Sequence, residues 1–140
     1  MIKILNISAI LILFINWIFV IINYSSLPDS VPVHFDFTGK PDKYGNKIAI
    51  LGVPTICTLL LFFMIFIKGK FLNQQDNKNG KILLSYIGLI ISFIFLFISV
   101  SVVFTSKRVD LFPTEYFFYG LLLMILIPVI ITLIKTKKGR

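Results

Sequence analysis

Residues 59–67 read LLLFFMIFI, nine apolar side chains in succession inside a stretch, residues 48–67, that carries no charge. A membrane strand alternates lipid-facing and lumen-facing residues, so a run that is greasy on every face is a helix and not part of a barrel. Its length suits the roughly 20 residues that a helix needs to cross the hydrocarbon layer at 1.5 Å each. Residues 4–24, 82–104 and 116–134 have the same character. With 57% hydrophobic residues and a mean hydropathy of +0.95, the chain is far more apolar than a soluble domain of 140 residues requires. These features predict an all-α membrane protein: a single membrane domain over residues 1–140, built as a bundle of four transmembrane helices. An ordered extracytoplasmic loop, residues 25–47, joins the first two.

Lys3 ahead of the first apolar run invites comparison with a signal peptide. That run is too long for one, and Asn23, Tyr24, Ser25 and Ser26 offer no small-residue cleavage site. Four crossings sort the charges. One side holds nine basic residues, Lys3, Lys68, Lys70, Lys78, Lys81, Lys135, Lys137, Lys138 and Arg140, against Asp76. The other balances Lys40, Lys43, Lys47, Lys107 and Arg108 against Asp29, Asp36, Asp42, Asp110 and Glu115. All of the net charge of +8 therefore lies on one face. Short Lys-rich loops stay cytoplasmic, which places both termini inside, in a multi-pass protein of the cytoplasmic membrane, and residues 25–47 outside. The basic residues flank helix ends, where anionic headgroups of the lipid bilayer attract them, so the pI near 9.8 is no sign of nucleic-acid binding.

Within the spans, Ser85, Gly88, Ser92 and Ser99 recur at helical spacing and form a stripe of small residues suited to close helix packing. Asn16, mid-span, needs a partner, and Ser92 at similar depth is the expected one. Pro54 and Pro128 are expected to kink their spans. No acid, Lys, Arg or His falls inside a span, which argues against a pump or proton-coupled carrier. Cys57 stands alone and reads as packing. The chain contains no GxGxxG, P-loop, HExxH or GxSxG motif.

Residues 25–47 gather three of six prolines, three of six acids and the only histidine. Val31, Val33, Phe35 and Phe37 alternate with Pro32, His34 and Asp36, which predicts an extended segment with one apolar face. Thr38-Gly39-Lys40-Pro41-Asp42 reads as a turn. The apolar edge is expected on the membrane interface or over the mouth of the bundle.

The sequence Leu27-Pro28-Asp29-Ser30-Val31-Pro32-Val33-His34-Phe35, followed by Gly39, Pro41-Asp42 and Lys47, resembles the signature LPxxxPxHFxxxGxPDxxxxK of domain-of-unknown-function family 1648. That family forms the N-terminal part of SdpI-type immunity proteins, membrane proteins of Gram-positive bacteria. The resemblance implies a non-enzymatic role in immunity to a secreted peptide toxin, or in envelope signalling through a cytoplasmic repressor. It also implies that Leu27, Pro28, Asp29, Pro32, His34, Phe35, Gly39, Pro41, Asp42 and Lys47 form the binding loop. The chain is similar to the first half of such proteins and ends after four spans.

The residues alone leave other readings open. His34, Asp29, Asp36 and Asp42 are all potential ligands, but their spacing matches no standard metal motif, and pairing with Lys40, Lys43 or Lys47 to fix the loop is the preferred reading. No metal or cofactor is expected. A membrane-embedded metal protein or hydrolase using His34 is one alternative; an accessory subunit packing through the serine stripe is another. The inner loop, residues 68–81, reads as a solvated connector with a possible second use as a docking site for a cytoplasmic regulator. The oligomeric state is not legible.

Overall fold

The computed structural model describes residues 1–36, 38–71 and 78–109. Three long helices and one hairpin make up this part: α1 (Ile2–Tyr24), β1 (Ser30–Phe35), β2 (Pro41–Asn46), α2 (Ala49–Phe71) and α3 (Lys78–Ser106). Each helix is long and apolar enough to cross a membrane. The expected fourth span, residues 116–134, lies outside the described residues. The purely helical reading is corrected by the antiparallel pair β1–β2.

The surface explains why such helices form here. Phe62, Ile22 and Ile4 are 70%, 69% and 67% exposed, and they belong to a continuous apolar coat that water would not tolerate but acyl chains would. Helices satisfy their own backbone groups, the condition lipid imposes. Charge does not end them: α2 continues through Lys68 and Lys70, and α3 begins at Lys78, before Lys81. Much of the inner connector is thus helical, and residues 72–77 lie outside the described set.

Helix α3 packs against both other helices. Ser85, Gly88, Ser92 and Ser99 are all buried along it. A methyl group added at Gly88 would stand 3.2 Å from Leu61 Cδ2, so the missing side chain is what lets α2 approach. Across the α1–α2 contact, Trp17 Nε1 donates to Thr58 Oγ1 at 3.1 Å. Thr58 in turn donates to the carbonyl of Pro54, the proline inside α2.

Helices α1 and α3 lie alongside each other with a nearly constant offset. The Phe19–Phe104 ring contact and the bond from Lys107 to Asn23 are separated in sequence by 85 and 84 residues. That offset carries Asn16 to the level of Ser99 and not of Ser92, seven residues or about two helical turns away. The expected Asn16–Ser92 hydrogen bond is accordingly not made. Ser92 Oγ donates to the Gly88 carbonyl at 2.9 Å. The Asn16 amide and Ser99 Oγ are both buried with no hydrogen-bond partner among the described residues.

Helix α3 closes with a Schellman arrangement: the Val109 amide donates to the Phe104 carbonyl and the Arg108 amide to that of Thr105. Arg108 takes the left-handed φ of 56° that this cap demands and that glycine usually supplies.

Candidate functional site

The hairpin sits over one end of the bundle. Val31, wholly buried, and Leu27 join Val20 of α1, Ile50 of α2 and Val102 and Val103 of α3 in one cluster, with Tyr24 and Phe35 packed against it. A two-stranded hairpin is marginal by itself; here the ends of three helices supply the apolar floor it lacks. The Lys47 amide donates to the Asp29 carbonyl, and two residues later α2 begins. Asn46 Oδ1 accepts from the Ile48 amide and caps that entrance. The hairpin therefore has no slack linker on its α2 side.

The simple alternation expected of β1 does not hold. Val31 and Pro32 are buried while Val33 is 42% exposed. The pairing register gives the reason: Pro32 faces Tyr44 and His34 faces Lys43, which leaves Val33 as an extra residue on β1. Phe35 then faces Pro41, which leaves Asp42 as an extra residue on β2. These two irregularities compensate each other. Each acts as a bulge that re-aims neighbouring side chains. Val33 lies over Gly45, where an added methyl would come within 2.9 Å of its Cγ1, so Gly45 makes room for the first bulge. Phe37, the last member of the expected alternation, lies outside the described residues.

The bulges bring His34 and Asp42 together. Nδ1 of His34 is 2.6 Å from Oδ1 of Asp42. An ionised carboxylate only accepts, so Nδ1 carries the shared proton; in the neutral imidazole Nε2 is then an acceptor, on a side chain that is 65% exposed. Exposed Tyr44 and Val33 belong to the same hairpin, so its outer surface combines an aromatic ring, an aliphatic group and a carboxylate–imidazole pair.

The turn is fixed by Asp36. Its Oδ1 accepts from the Thr38 amide, the Thr38 hydroxyl and the Lys40 amide at 2.8, 2.7 and 2.9 Å. These bonds, the Thr38 hydroxyl's foremost, hold the Asp36 carboxyl below its ordinary pKa of 3.8. Gly39 occupies the left-handed region with φ of 77°, which the turn requires.

Lys47 ties the hairpin down. Its ammonium lies 3.0 Å from Asp29 Oδ1 and 5.8 Å from the centre of the Tyr24 ring. The hydrogen bond to Asp29 raises the Lys47 pKa above 10.5. The structure thus separates the motif residues into groups. Leu27 and Phe35 pack in the buried cluster and Pro32 is buried in β1; Gly39 belongs to the turn, Pro41 to the start of β2, Asp29 and Lys47 to the clamp, and His34 and Asp42 to the open face. Pro28 is exposed between α1 and β1. Among the described residues, no three His, Cys, Asp or Glu are grouped to hold a metal ion.

Three contacts were not foreseen from sequence. Lys68 Nζ donates to Asn6 Oδ1 at 2.7 Å and approaches Ser85 Oγ at 3.4 Å, which links all three helices at the end remote from the hairpin. Lys107 donates to Asn23 Oδ1 at 2.8 Å near the hairpin end. The only signal for these was a lone Asn or Lys close to a span end.

Residues 11–58 match the family described as "Domain of unknown function (DUF1648)". The matched segment holds the hairpin and the adjoining parts of α1 and α2. An uncharacterized protein of Archaeoglobus fulgidus is 36% identical over 55 residues, a match covering 39% of this chain and 28% of that protein. The shared segment is therefore under a third of that relative's length. No solved structure matches the chain.

Proposed function

Because residues 11–58 belong to a family described as a domain of unknown function, we propose that this membrane protein is a non-enzymatic recognition component of a bacterial cytoplasmic membrane. Its hairpin faces outward and both termini lie in the cytosol. The role is that implied by the resemblance to SdpI-type proteins: immunity to a secreted peptide toxin, or envelope signalling that such a peptide triggers.

One observation carries this reading. The hairpin is anchored through Val31 and Leu27 to the ends of three helices, yet it leaves His34, Asp42 and Tyr44 exposed. A rigid surface offering a ring, a base and a carboxylate suits capture of a peptide at the bilayer surface, where preorganisation lowers the entropic cost of binding. Force on it would pass to α1 and α3 through the same buried cluster, a route from an external ligand to the lysine-rich inner end.

The test is tolerance of a sensitive Gram-positive host to a peptide toxin of the SdpI-linked class. Expression of the chain should protect, and His34→Ala and Asp42→Asn should remove protection at unchanged protein level. Lys47→Met should weaken it by loosening the clamp. Unchanged tolerance in all three variants, at normal abundance, would discard the hairpin as the recognition element.

A further inference from the structure

At the end opposite the hairpin, α1, α2 and α3 line a shallow groove whose interior, about 10 Å³, has room for little more than a water molecule. Its composition changes along its length. Asn6, Lys68 and Ser85 make one end polar, and Leu61, Met64 and Gly88 make the remainder apolar. Ile10 and Ile65, 50% and 48% exposed, form a lip that opens sideways into the apolar coat. Lys68 is half-buried. Its ammonium reaches the neutral oxygens of Asn6 and Ser85, and no carboxylate pairs with it among the described residues. A partly desolvated cation solvated by two neutral oxygens retains a strong preference for an anion. The surrounding charge has the same sign, with Lys3, Lys70 and Lys81 at this end.

We propose that this groove is a binding site for an anionic phospholipid. The phosphate sits on Lys68, with the Asn6 amide as a further donor while the Ser85 hydroxyl stays bonded to the Lys81 carbonyl, and an acyl chain lies along the exposed Ile10 and Ile65. A cationic, hydrogen-bonding end beside an exposed apolar lip, Ile10 and Ile65, matches an amphiphile with a phosphate head better than it matches a free ion. By the charge rule the lysine-rich end faces the anionic cytoplasmic leaflet, where such lipids are plentiful. The site is independent of the hairpin and of the recognition role proposed for it.

Purified full-length protein in neutral detergent would be titrated with phosphatidylglycerol, phosphatidylcholine or inorganic phosphate, with bound lipid counted by native mass spectrometry and stability followed by thermal unfolding. One phosphatidylglycerol should remain bound and raise the unfolding temperature; phosphatidylcholine and inorganic phosphate at equal concentration should not. Lys68→Gln should weaken phosphatidylglycerol binding about tenfold or more, the loss expected for one charge-assisted contact. Lys68→Arg should retain it, which separates loss of the cation from misfolding. Lys70→Gln, on an exposed position, should leave it unchanged. Equal losses in Lys68→Gln and Lys70→Gln would show diffuse attraction to the surface, and a full response to inorganic phosphate would show a plain anion site. Either result, or unaltered binding in Lys68→Gln, overturns the proposal.

Discussion

Truncating Val31 and Val33 to alanine, one at a time, distinguishes a bulged β1 from a regular one. The residues are identical, two apart on the same strand, and a regular strand would bury both. In the structure Val31 is 0% exposed and Val33 is 42% exposed. Val31→Ala removes two buried carbons, at about 0.8 kcal/mol each, and leaves a cavity that adds about 1 kcal/mol more unless the site collapses. The expected loss is roughly 2–3 kcal/mol. Val33→Ala removes the same atoms from a half-solvated position above Gly45 and should cost about 0.5 kcal/mol. Equilibrium unfolding by sodium dodecyl sulfate in mixed micelles measures both. Trp17, the sole tryptophan, bonds to Thr58 across the α1–α2 contact and supplies a fluorescence signal for separation of those helices. Equal losses, or the larger loss at Val33, would refute the bulge and with it the explanation of how His34 meets Asp42.

Further outcomes follow from individual groups. Arg108→Gly should stabilise the protein by about 0.5–1 kcal/mol in the same titration, because it removes a side chain from a left-handed cap. Asn16→Leu should be neutral or stabilising by about 1 kcal/mol, since its amide is buried without a partner among the described residues; a loss above that size would reveal a bond the described residues do not supply. Asp36, with its carboxyl held below 3.8, contributes stability that is full above that value and is lost as pH falls through its lowered pKa. The protection factors of the Thr38 and Lys40 amides, each taken against the intrinsic exchange rate at the same pH, should therefore be high at pH 5 and fall under more acidic conditions. Asp36→Asn should abolish that pH dependence.

The helices were legible because lipid imposes a simple rule, and LLLFFMIFI obeys it on every face. Their ends were less legible: Lys68 and Lys81 stop an apolar run but not a helix, since lysine is a good helix former. In the hairpin, the turn at Gly39 could be read from residue types, whereas the strand could not. Period-two alternation assumes an unbroken ladder, and two compensating bulges shift its phase within four residues. The His34–Asp42 pair is a product of those bulges, so its spacing in sequence gave no hint of contact. Asn16 and Ser92 were matched by distance from span ends, which failed because the two helices do not start level: the contact offset of 84–85 residues sets Ile2 against residues 86–87, so the first eight or so residues of α3 run on beyond the start of α1. Lys68 escaped notice since nothing in a sequence says which way a lysine at a helix end will turn.

The central claim is a hairpin outside the cell and a lysine-rich end within it. Single cysteines introduced as Ser30→Cys on the hairpin and Asn79→Cys at the start of α3, both exposed positions, in a Cys57→Ser background, can be probed in intact cells with a membrane-impermeant maleimide. The expected result is labelling at position 30 and none at position 79 until the cells are lysed. Labelling at 79 with position 30 protected would invert the protein in its membrane and contradict the account.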